Sequence, residues 1–315
     1  MTKKDPFESV HFPPVMGEEE IDAVVDVLKS KRLSLLSGKK VKKFEKEFAK
    51  YIGTSDAIAV NSGTAALHVA LAAIGIGPGD EIIVPPFTFV ATATAVLHQN
   101  AIPIFADIDP KTYCINPEEI KKVITPKTKG IIPVHLFGHP ADMDPILEIA
   151  QKYNLFVIED ACQAHGAEYK GKRVGSIADL GCFSFYESKN MMTGEGGIIT
   201  TNNPELAEAA RLIRHHGEPS WYVYDRLGYN YRMNEMEAAL GLVQLKKLEK
   251  LNAIRIDFAN YLTENLKNVD GIQVPYVSKD VKHVFHAYAP LIEPEKLNVS
   301  KDLFLEKLNE GVSIT

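Results

Sequence analysis

Cysteine is scarce in this sequence. Its 315 residues include three cysteines, Cys114, Cys162 and Cys182, and no two of them form a Cys-x-x-Cys pair. Disulfide scaffolds and cysteine-rich zinc sites need more cysteines at closer spacing, so the sequence argues against both. So few cysteines are typical of proteins in a reducing compartment, and we therefore expect a cytoplasmic protein.

The chain also lacks an excess of basic residues. It carries 41 acidic and 35 basic side chains, a formal net charge of −6. Proteins that bind nucleic acid or anionic membranes usually show a basic patch, so this balance predicts neither partner. Apolar residues make up 45% of the chain and charged residues 24%, which is typical of a folded globular protein. At roughly 150 residues per domain, the length predicts one large domain or two unequal domains.

Membrane-directing segments are a third feature that we do not expect here. The first ten residues have charges but no apolar run behind them, which argues against a signal peptide. Residues 82–106 contain no Asp, Glu, Lys or Arg and are long enough to span a bilayer. However, a Pro-Pro pair at 85–86 and a polar trio at 98–100 divide this stretch into strand, turn, helix and strand. We interpret it as buried core.

Short apolar runs that alternate with helical patterns dominate the sequence from residue 57 onward. These runs lack polar alternation and suit strands buried on both faces, which predicts an α/β fold with a mostly parallel sheet. The predicted strands are residues 57–60, 81–84, 102–105, 130–134, 155–158, 181–185 and 197–200. Helical spacing predicts helices over residues 18–30, over a segment with Val41, Phe44 and Phe48, and over residues 234–262. The pattern changes near residue 250, where a second, smaller α/β unit is predicted to begin.

Polar residues that directly follow predicted strands are the candidates for function, because ligands of open α/β sheets bind beyond the carboxyl ends of the strands. The first strand leads into Asn-Ser-Gly-Thr-Ala at 61–65 and then into a helical pattern. Such a turn presents backbone N–H groups and a hydroxyl to an anion, so Ser62, Gly63, Thr64 and Ala65 are candidate phosphate ligands. Serine and threonine are equally favoured as plain helix caps, and this segment alone does not decide between the two.

Two acidic residues, Glu159 and Asp160, follow the fifth predicted strand. A carboxylate at this place can hold a cationic ring nitrogen or a metal ion, and the nearby His135, His139 and His165 make metal binding an alternative. His139 lies in a Gly-His-Pro sequence, which cannot place it on one helical face with His135. We therefore expect no metal site.

Lys189 follows the sixth predicted strand, in a segment that ends in a glycine cluster at 194–197. Desolvation lowers the pKa of a lysine and frees its amine, so Lys189 is a candidate Schiff-base former. A solvated loop lysine is the alternative. The glycines are not a Gly-x-Gly-x-x-Gly dinucleotide motif, because they lead into another strand rather than into a helix.

These three features occur together in this sequence, and one cofactor requires all of them. Pyridoxal phosphate needs a cup for its phosphate, an acid for its pyridine nitrogen and a lysine for its aldehyde. Phe87 and Phe89, just after the second predicted strand, are candidates for a ring that stacks on the pyridine. The combination indicates an enzyme that uses pyridoxal phosphate.

Seven segments in this order resemble one known family, the DegT–StrS nucleotide-sugar aminotransferases, which are fold-type I pyridoxal phosphate enzymes. The matching segments are residues 61–67, 85–92, 133–138, 159–167, 182–189, 193–197 and 228–234. The resemblance runs from about Phe12 to the last residue. It implies a three-layer large domain over residues 1–250, which includes the N-terminal helices and binds the cofactor, and a smaller C-terminal α/β domain over residues 251–315.

The resemblance also implies roles for single residues. Lys189 is similar to the lysine that bonds the cofactor and moves protons, and Asp160 to the partner of the pyridine nitrogen. Further implied cofactor contacts are Gln163 beside the ring hydroxyl, Phe89 stacked on the ring, Thr64, Ala65 and Ser184 at the phosphate, and Asn230 at the phosphate of a neighbouring subunit. The role of Asn230 implies a homodimer with shared active sites.

The implied reaction transfers an amino group from glutamate, through pyridoxamine phosphate, to a nucleotide-linked keto-deoxysugar. Relatives with histidine in place of the lysine are dehydratases, so Lys189 favours transamination. Candidate sugar contacts are His165, His215 and Tyr222, with His216, Trp221 and Tyr224 beside them. Aromatic packing under a loop is the alternative for this group.

Two other functions remain open at this point: another fold-type I reaction, such as a lyase or an aminotransferase for free amino acids, and a regulatory binding protein without catalysis. The presence of Lys189, Asp160 and Gln163 together weighs against the second. Family members usually continue for several tens of residues, so we expect an incomplete small domain. Every cofactor motif precedes residue 235, so we expect stability and substrate binding to depend on the C-terminal unit more than cofactor chemistry does.

Overall fold

A computed structural model describes residues 15–297 and 300–311. The expected lack of a signal peptide concerns the first ten residues, which lie outside these ranges. The described residues form ten α-helices: α1 Glu18–Ser30, α2 Lys40–Ile52, α3 Gly63–Ala73, α4 Ala91–His98, α5 Pro117–Val123, α6 Met143–Tyr153, α7 Pro204–Arg214, α8 Glu235–Leu266, α9 Pro294–Leu297 and α10 Lys301–Gly311.

The same residues form twelve strands: β1 Asp56–Val60, β2 Glu81–Val84, β3 Ile102–Phe105, β4 Thr128–Ile131, β5 Phe156–Asp160, β6 Glu168–Tyr169, β7 Lys172–Arg173, β8 Leu180–Ser184, β9 Gly197–Thr201, β10 Ile272–Gln273, β11 Val281–Lys282 and β12 Leu291–Ile292. Seven of them form the central sheet in the order β1-β9-β8-β5-β4-β2-β3. Strand β9 runs antiparallel to both of its neighbours, and every other neighbouring pair is parallel. The predicted α/β class with a mostly parallel sheet is confirmed.

Helices cover both faces of this sheet. Along β1, Ile58 and Val60 pack in one apolar cluster with α3 and α7, whereas Ala57 and Ala59 pack in a second cluster with α2. This alternation follows from the two-residue period of a strand. The sheet is therefore the middle one of three layers.

Two of the predicted strands differ from expectation, one in its length and the other in its burial. Strand β4 ends at Ile131 rather than at residue 134, because Pro133 has no N–H to donate to a neighbouring strand. Strand β3 lies at the sheet edge, where Ile102 and Phe105 are exposed. Residues 82–106 are therefore only partly buried core: Ile82 to Val84 are buried, but an apolar band at positions 87, 89, 90, 97, 102 and 105 is exposed.

The C-terminal unit is joined to the large sheet domain by a continuous helix and by strand pairing. Helix α8 is longer than predicted and crosses residue 250 without a break, and its first half packs on α1 and α2. Strand β11 joins β6 and β7 in a three-stranded sheet, while β10 and β12 pair with each other. Across the described part of the chain, no helix combines the length and the apolar character needed to cross a membrane.

Candidate active site

Three segments meet at the carboxyl end of the central sheet: the start of α3, the residues after β5 and the end of β8. A Cβ atom added to Gly63 would lie 2.6 Å from Cβ of Ser184 and 3.2 Å from Sγ of Cys162. Only glycine fits at such an approach. The contact brings the turn at 61–65 together with the residues around Asp160 and Lys189.

The turn before α3 is a helix cap that still favours an anion. Ser62 is the N-cap, and its Oγ accepts a hydrogen bond of 3.0 Å from the Ala65 N–H. Gly63 and Ala65 are buried, and Thr64 is half-buried. The first turn of α3 contains no acidic residue, so the positive potential at this helix end is not neutralised by its own side chains. The cap and the anion site are thus compatible rather than exclusive.

Asp160 is the last residue of β5, and its side chain is held at both oxygens. Thr92 Oγ1 donates to Oδ2 at 2.8 Å, and the Cys162 N–H donates to Oδ1 at 3.2 Å. The residue is only 5% exposed. Thr92 was not among the predicted site residues, although it closes the matching segment 85–92. Its only sequence signal was that position.

Glu159 points the other way and has a structural role. Its fully buried carboxylate accepts hydrogen bonds from the N–H groups of residues 175, 177 and 178 and lies 3.1 Å from His135 Nε2. The Ala141 N–H donates to His135 Nδ1, so the imidazole proton lies on Nε2 and is donated to Glu159. The polar groups of His135 and Glu159 are thus hydrogen-bonded within the protein. Within the described ranges, no cluster of His, Cys, Asp and Glu has the arrangement of a metal site.

Lys189 lies in the loop that joins β8 to β9, and it is half-buried rather than solvated. Its backbone N–H closes a turn on Tyr186 O at 2.9 Å. Burial lowers the pKa of its amine below the ordinary lysine value, and the neighbouring Cys162 and Asp160 partly oppose this effect. A larger share of free amine is what a Schiff-base lysine needs.

Gln163 and the two candidate rings flank this centre. The Phe137 N–H donates to Gln163 Oε1 at 2.8 Å, which leaves the amide nitrogen of Gln163 as its donor end. Phe87 packs edge-on against Tyr113 and Phe137, with ring centroids 6.0 and 6.1 Å away. Phe89 is 68% exposed. Of the two phenylalanines, Phe89 is therefore the one whose ring is available for stacking.

The predicted sugar contacts lie in different surroundings. His165 is fully buried against Phe183 and Phe185, and burial lowers its pKa to about 3. His215 accepts from Arg232 Nη1 at 2.8 Å. Tyr222 is 72% exposed and lies with Trp221, Tyr224 and His216 on the segment after α7. Asn230 is exposed as well, and its backbone pairs with His215.

A C-terminal segment contacts the site through residue Val284. The Val284 N–H donates to Gly138 O at 3.1 Å, one residue after the Phe137 that holds Gln163. The Val284 carbonyl in turn accepts from the side chain of Asn190, next to Lys189. Neither contact leaves a local pattern in the sequence, because both join residues that are far apart in the chain.

Comparisons with known proteins agree with this arrangement. A sequence profile of the DegT/DnrJ/EryC1/StrS aminotransferase family matches residues 14–314. The chain is 42% identical to the spore coat polysaccharide biosynthesis protein SpsC of Bacillus subtilis, over 96% of this chain and 80% of that protein. It is also 42% identical to a GDP-perosamine synthase of Caulobacter vibrioides, over 96% and 81%.

A solved aminotransferase from Psychrobacter cryohalolentis superposes with a TM-score of 0.90 and 38% identity, over 95% of this chain and 82% of that one. The profile match covers nearly the whole sequence and includes every residue of the centre around Lys189. This chain therefore belongs to the DegT/DnrJ/EryC1/StrS aminotransferase family.

Proposed function

We infer that this protein is a pyridoxal phosphate-dependent aminotransferase that transfers an amino group to a nucleotide-linked keto sugar. One observation carries the proposal: Asp160, Lys189 and the start of α3 converge at one end of the sheet. A held carboxylate, a buried amine and an uncompensated helix end fit the ring nitrogen, aldehyde and phosphate of that cofactor. The names of relatives such as GDP-perosamine synthase support a sugar as amino acceptor.

In this proposal each residue of the centre has one task. Bound pyridoxal phosphate supplies an electron sink for the carbon that loses its proton. Asp160, oriented by Thr92, binds the ring nitrogen, and the amide nitrogen of Gln163 donates to the ring hydroxyl. The free amine of Lys189 takes up and returns the proton. The phosphate is held by Ser62, Gly63, Thr64, Ala65 and Ser184, and Phe89 covers the ring.

The proposal includes glutamate as amino donor, a cytoplasmic location and a homodimer in which Asn230 reaches the partner's site. Exposed apolar side chains support the dimer: Trp221 and Leu227 are 80% and 77% exposed, and the apolar residues at positions 87, 89, 90, 97, 102 and 105 are exposed too. A partner subunit that covers such side chains removes them from water. Residues 1–250 form the cofactor domain in this proposal, and residues 251–315 form the smaller unit.

Loading the protein with pyridoxal phosphate, followed by borohydride reduction and peptide mass spectrometry, tests the assignment. We expect the cofactor mass on the peptide with Lys189, and none on a Lys189→Ala variant. No bound cofactor would favour a regulatory binding protein. Label on another lysine would contradict the proposed centre.

A further inference from the structure

Asn190, the neighbour of Lys189, anchors one half of the lysine loop, which we define as residues 185–196 between β8 and β9. Glu187 and Ser188 are exposed, whereas Asn190 is 3% exposed and the next three residues are buried. Lys189 thus lies at the point where the loop changes from exposed to buried. A long, flexible lysine side chain reaches a fixed position only if its own backbone is held.

The buried side-chain amides of Asn190 and Asn252 hold the loop at this position. The Asn190 Nδ2 group donates to Asn252 Oδ1 at 2.9 Å and to the Val284 carbonyl at 3.0 Å. Asn252, which is fully buried in α8, donates through Nδ2 to the His165 carbonyl at 2.8 Å. Both orientations are determined by their partners, because turning the Asn190 amide would place its oxygen against two other oxygens.

These three bonds join four parts of the chain that are far apart in sequence. The lysine loop is tied to α8, to the segment after Asp160 and to the C-terminal segment at Val284. Val284 also holds Gly138, beside the residue that binds Gln163. Both sides of the proposed cofactor site therefore depend on this network.

We propose that Asn190 and Asn252 are positioning residues for Lys189, which hold the lysine loop at a fixed place relative to the segment that carries Asp160. The inference rests on the proposed function. Buried amide pairs of this kind are directional, and breaking one leaves a buried polar group without a partner. A displaced loop would move the amine away from its reacting position, where an error of about 1 Å costs about a hundredfold in rate.

The test measures how fast pyridoxal phosphate labels Lys189 in borohydride trapping, as a function of pH, in wild-type protein and in Asn190→Ala. Asn203→Ala is the matched control, since Asn203 caps α7 with two hydrogen bonds outside this network. We expect Asn190→Ala to label Lys189 about ten to a hundred times more slowly per folded molecule. We expect Asn203→Ala to lower the melting temperature and to label at the wild-type rate.

The pH dependence gives a second readout that a loss of stability alone does not change. The titratable groups that act on Lys189 are Asp160, Cys162, His165 and His286. None of them is removed in Asn190→Ala, but a released loop exposes Lys189 to water, which raises its pKa toward the ordinary value. The pH at which labelling is half-maximal should therefore rise in Asn190→Ala and stay unchanged in Asn203→Ala.

A second variant, Asn252→Ala, keeps the test decisive if Asn190→Ala does not fold. This substitution removes one acceptor of the Asn190 amide and leaves Asn190 itself in place. It must change the labelling rate and the pH midpoint in the same direction as Asn190→Ala, by a smaller amount. Wild-type rate and midpoint in either folded variant would overturn the inference. Absence of label on Lys189 in the wild-type protein would instead overturn the proposed function.

Discussion

The neighbouring carboxylates of Glu159 and Asp160 have different roles because successive side chains of a strand point to opposite faces. Glu159 is enclosed by three backbone N–H groups and His135, while Asp160 faces the site and is oriented by Thr92. Sequence alone identified both acids as candidates. Which of them is free for a ligand depends on the partners that each one meets in the fold.

Replacing Thr92 with Val tests how far Asp160 depends on its orienting hydroxyl. A hydrogen bond to a charged group contributes about 1.5–3 kcal/mol, so we expect kcat/KM to fall by about tenfold to a hundredfold. Thr88→Val is the control, because Thr88 Oγ1 contacts Thr92 Oγ1 at 2.9 Å and does not touch Asp160 directly. Equal effects of the two substitutions on steady-state kinetics would contradict the role of Thr92.

The buried amine of Lys189 also predicts how stability changes with pH. Burial lowers its pKa, so the folded apo-protein binds fewer protons than the unfolded chain between that lowered pKa and the ordinary lysine value. The contribution of Lys189 to stability therefore rises with pH across this interval. Lys189→Met removes the cost of burying the charge, so this apo-variant should melt higher than wild type at pH 7.

Thermal unfolding of both apo-proteins checks this expectation. The difference in melting temperature should shrink as the pH approaches about 10.4, the ordinary pKa of lysine. A difference of the same size at neutral and at alkaline pH would show that packing, rather than the charge, is its source.

At the scale of elements, local sequence patterns predicted the strands of the sheet but not the long-range contacts that connect distant segments. All seven central strands follow from apolar runs. In the inner strands, burial on both faces leaves a signal within four or five residues, and the edge strand β3 shows the same apolar run although it is partly exposed. The helix cap at Ser62 could likewise be predicted from the local sequence. Contacts such as those of Val284 join segments about 100 or more residues apart and leave no trace in local spacing.

The start of α2 shows such a long-range contact. This helix has no side-chain cap of its own and no acidic residue in its first turn. Instead Glu235, the first residue of α8, accepts from the N–H groups of Lys39, Lys40 and Val41 at 2.7, 2.6 and 3.0 Å. One carboxylate thus caps a helix that lies nearly 200 residues earlier in the chain.

We expect Glu235→Gln to lower the free energy of unfolding by about 1–3 kcal/mol, since the amide turns a donor toward backbone donors. Urea denaturation measures this loss. Glu18→Gln, at an exposed acid in the first turn of α1, is the matched control and should cost less than about 1 kcal/mol. If the two variants unfold alike, Glu235 does not cap α2.

At the scale of the whole molecule, the proposed homodimer with shared sites predicts complementation between two inactive proteins. Lys189→Ala and Asn230→Ala each damage every site of their own dimers. In a mixed dimer, one site receives both damaged residues and the other receives neither. Random mixing should therefore restore about a quarter of the wild-type activity.

Unfolding and refolding the two variants together, with each one alone as control, provides that measurement. Mixed samples that are no more active than the two separate variants would show that each chain has a complete site of its own. The sequence pattern predicted that residues 82–106 are buried core. The structure shows that several of their apolar side chains are exposed, and this exposure is the physical basis of the proposed dimer.

The central claim is that Lys189, Asp160 and the start of α3 form the site of an aminotransferase for nucleotide-linked sugars. The most direct test follows the visible absorbance of protein loaded with pyridoxal phosphate, first with glutamate and then with a panel of nucleotide-linked keto sugars. We predict that glutamate bleaches the absorbance and that one of the sugars restores it while an amino sugar forms. Bleaching that only free keto acids reverse, or no response to glutamate and other amino donors, would contradict the account.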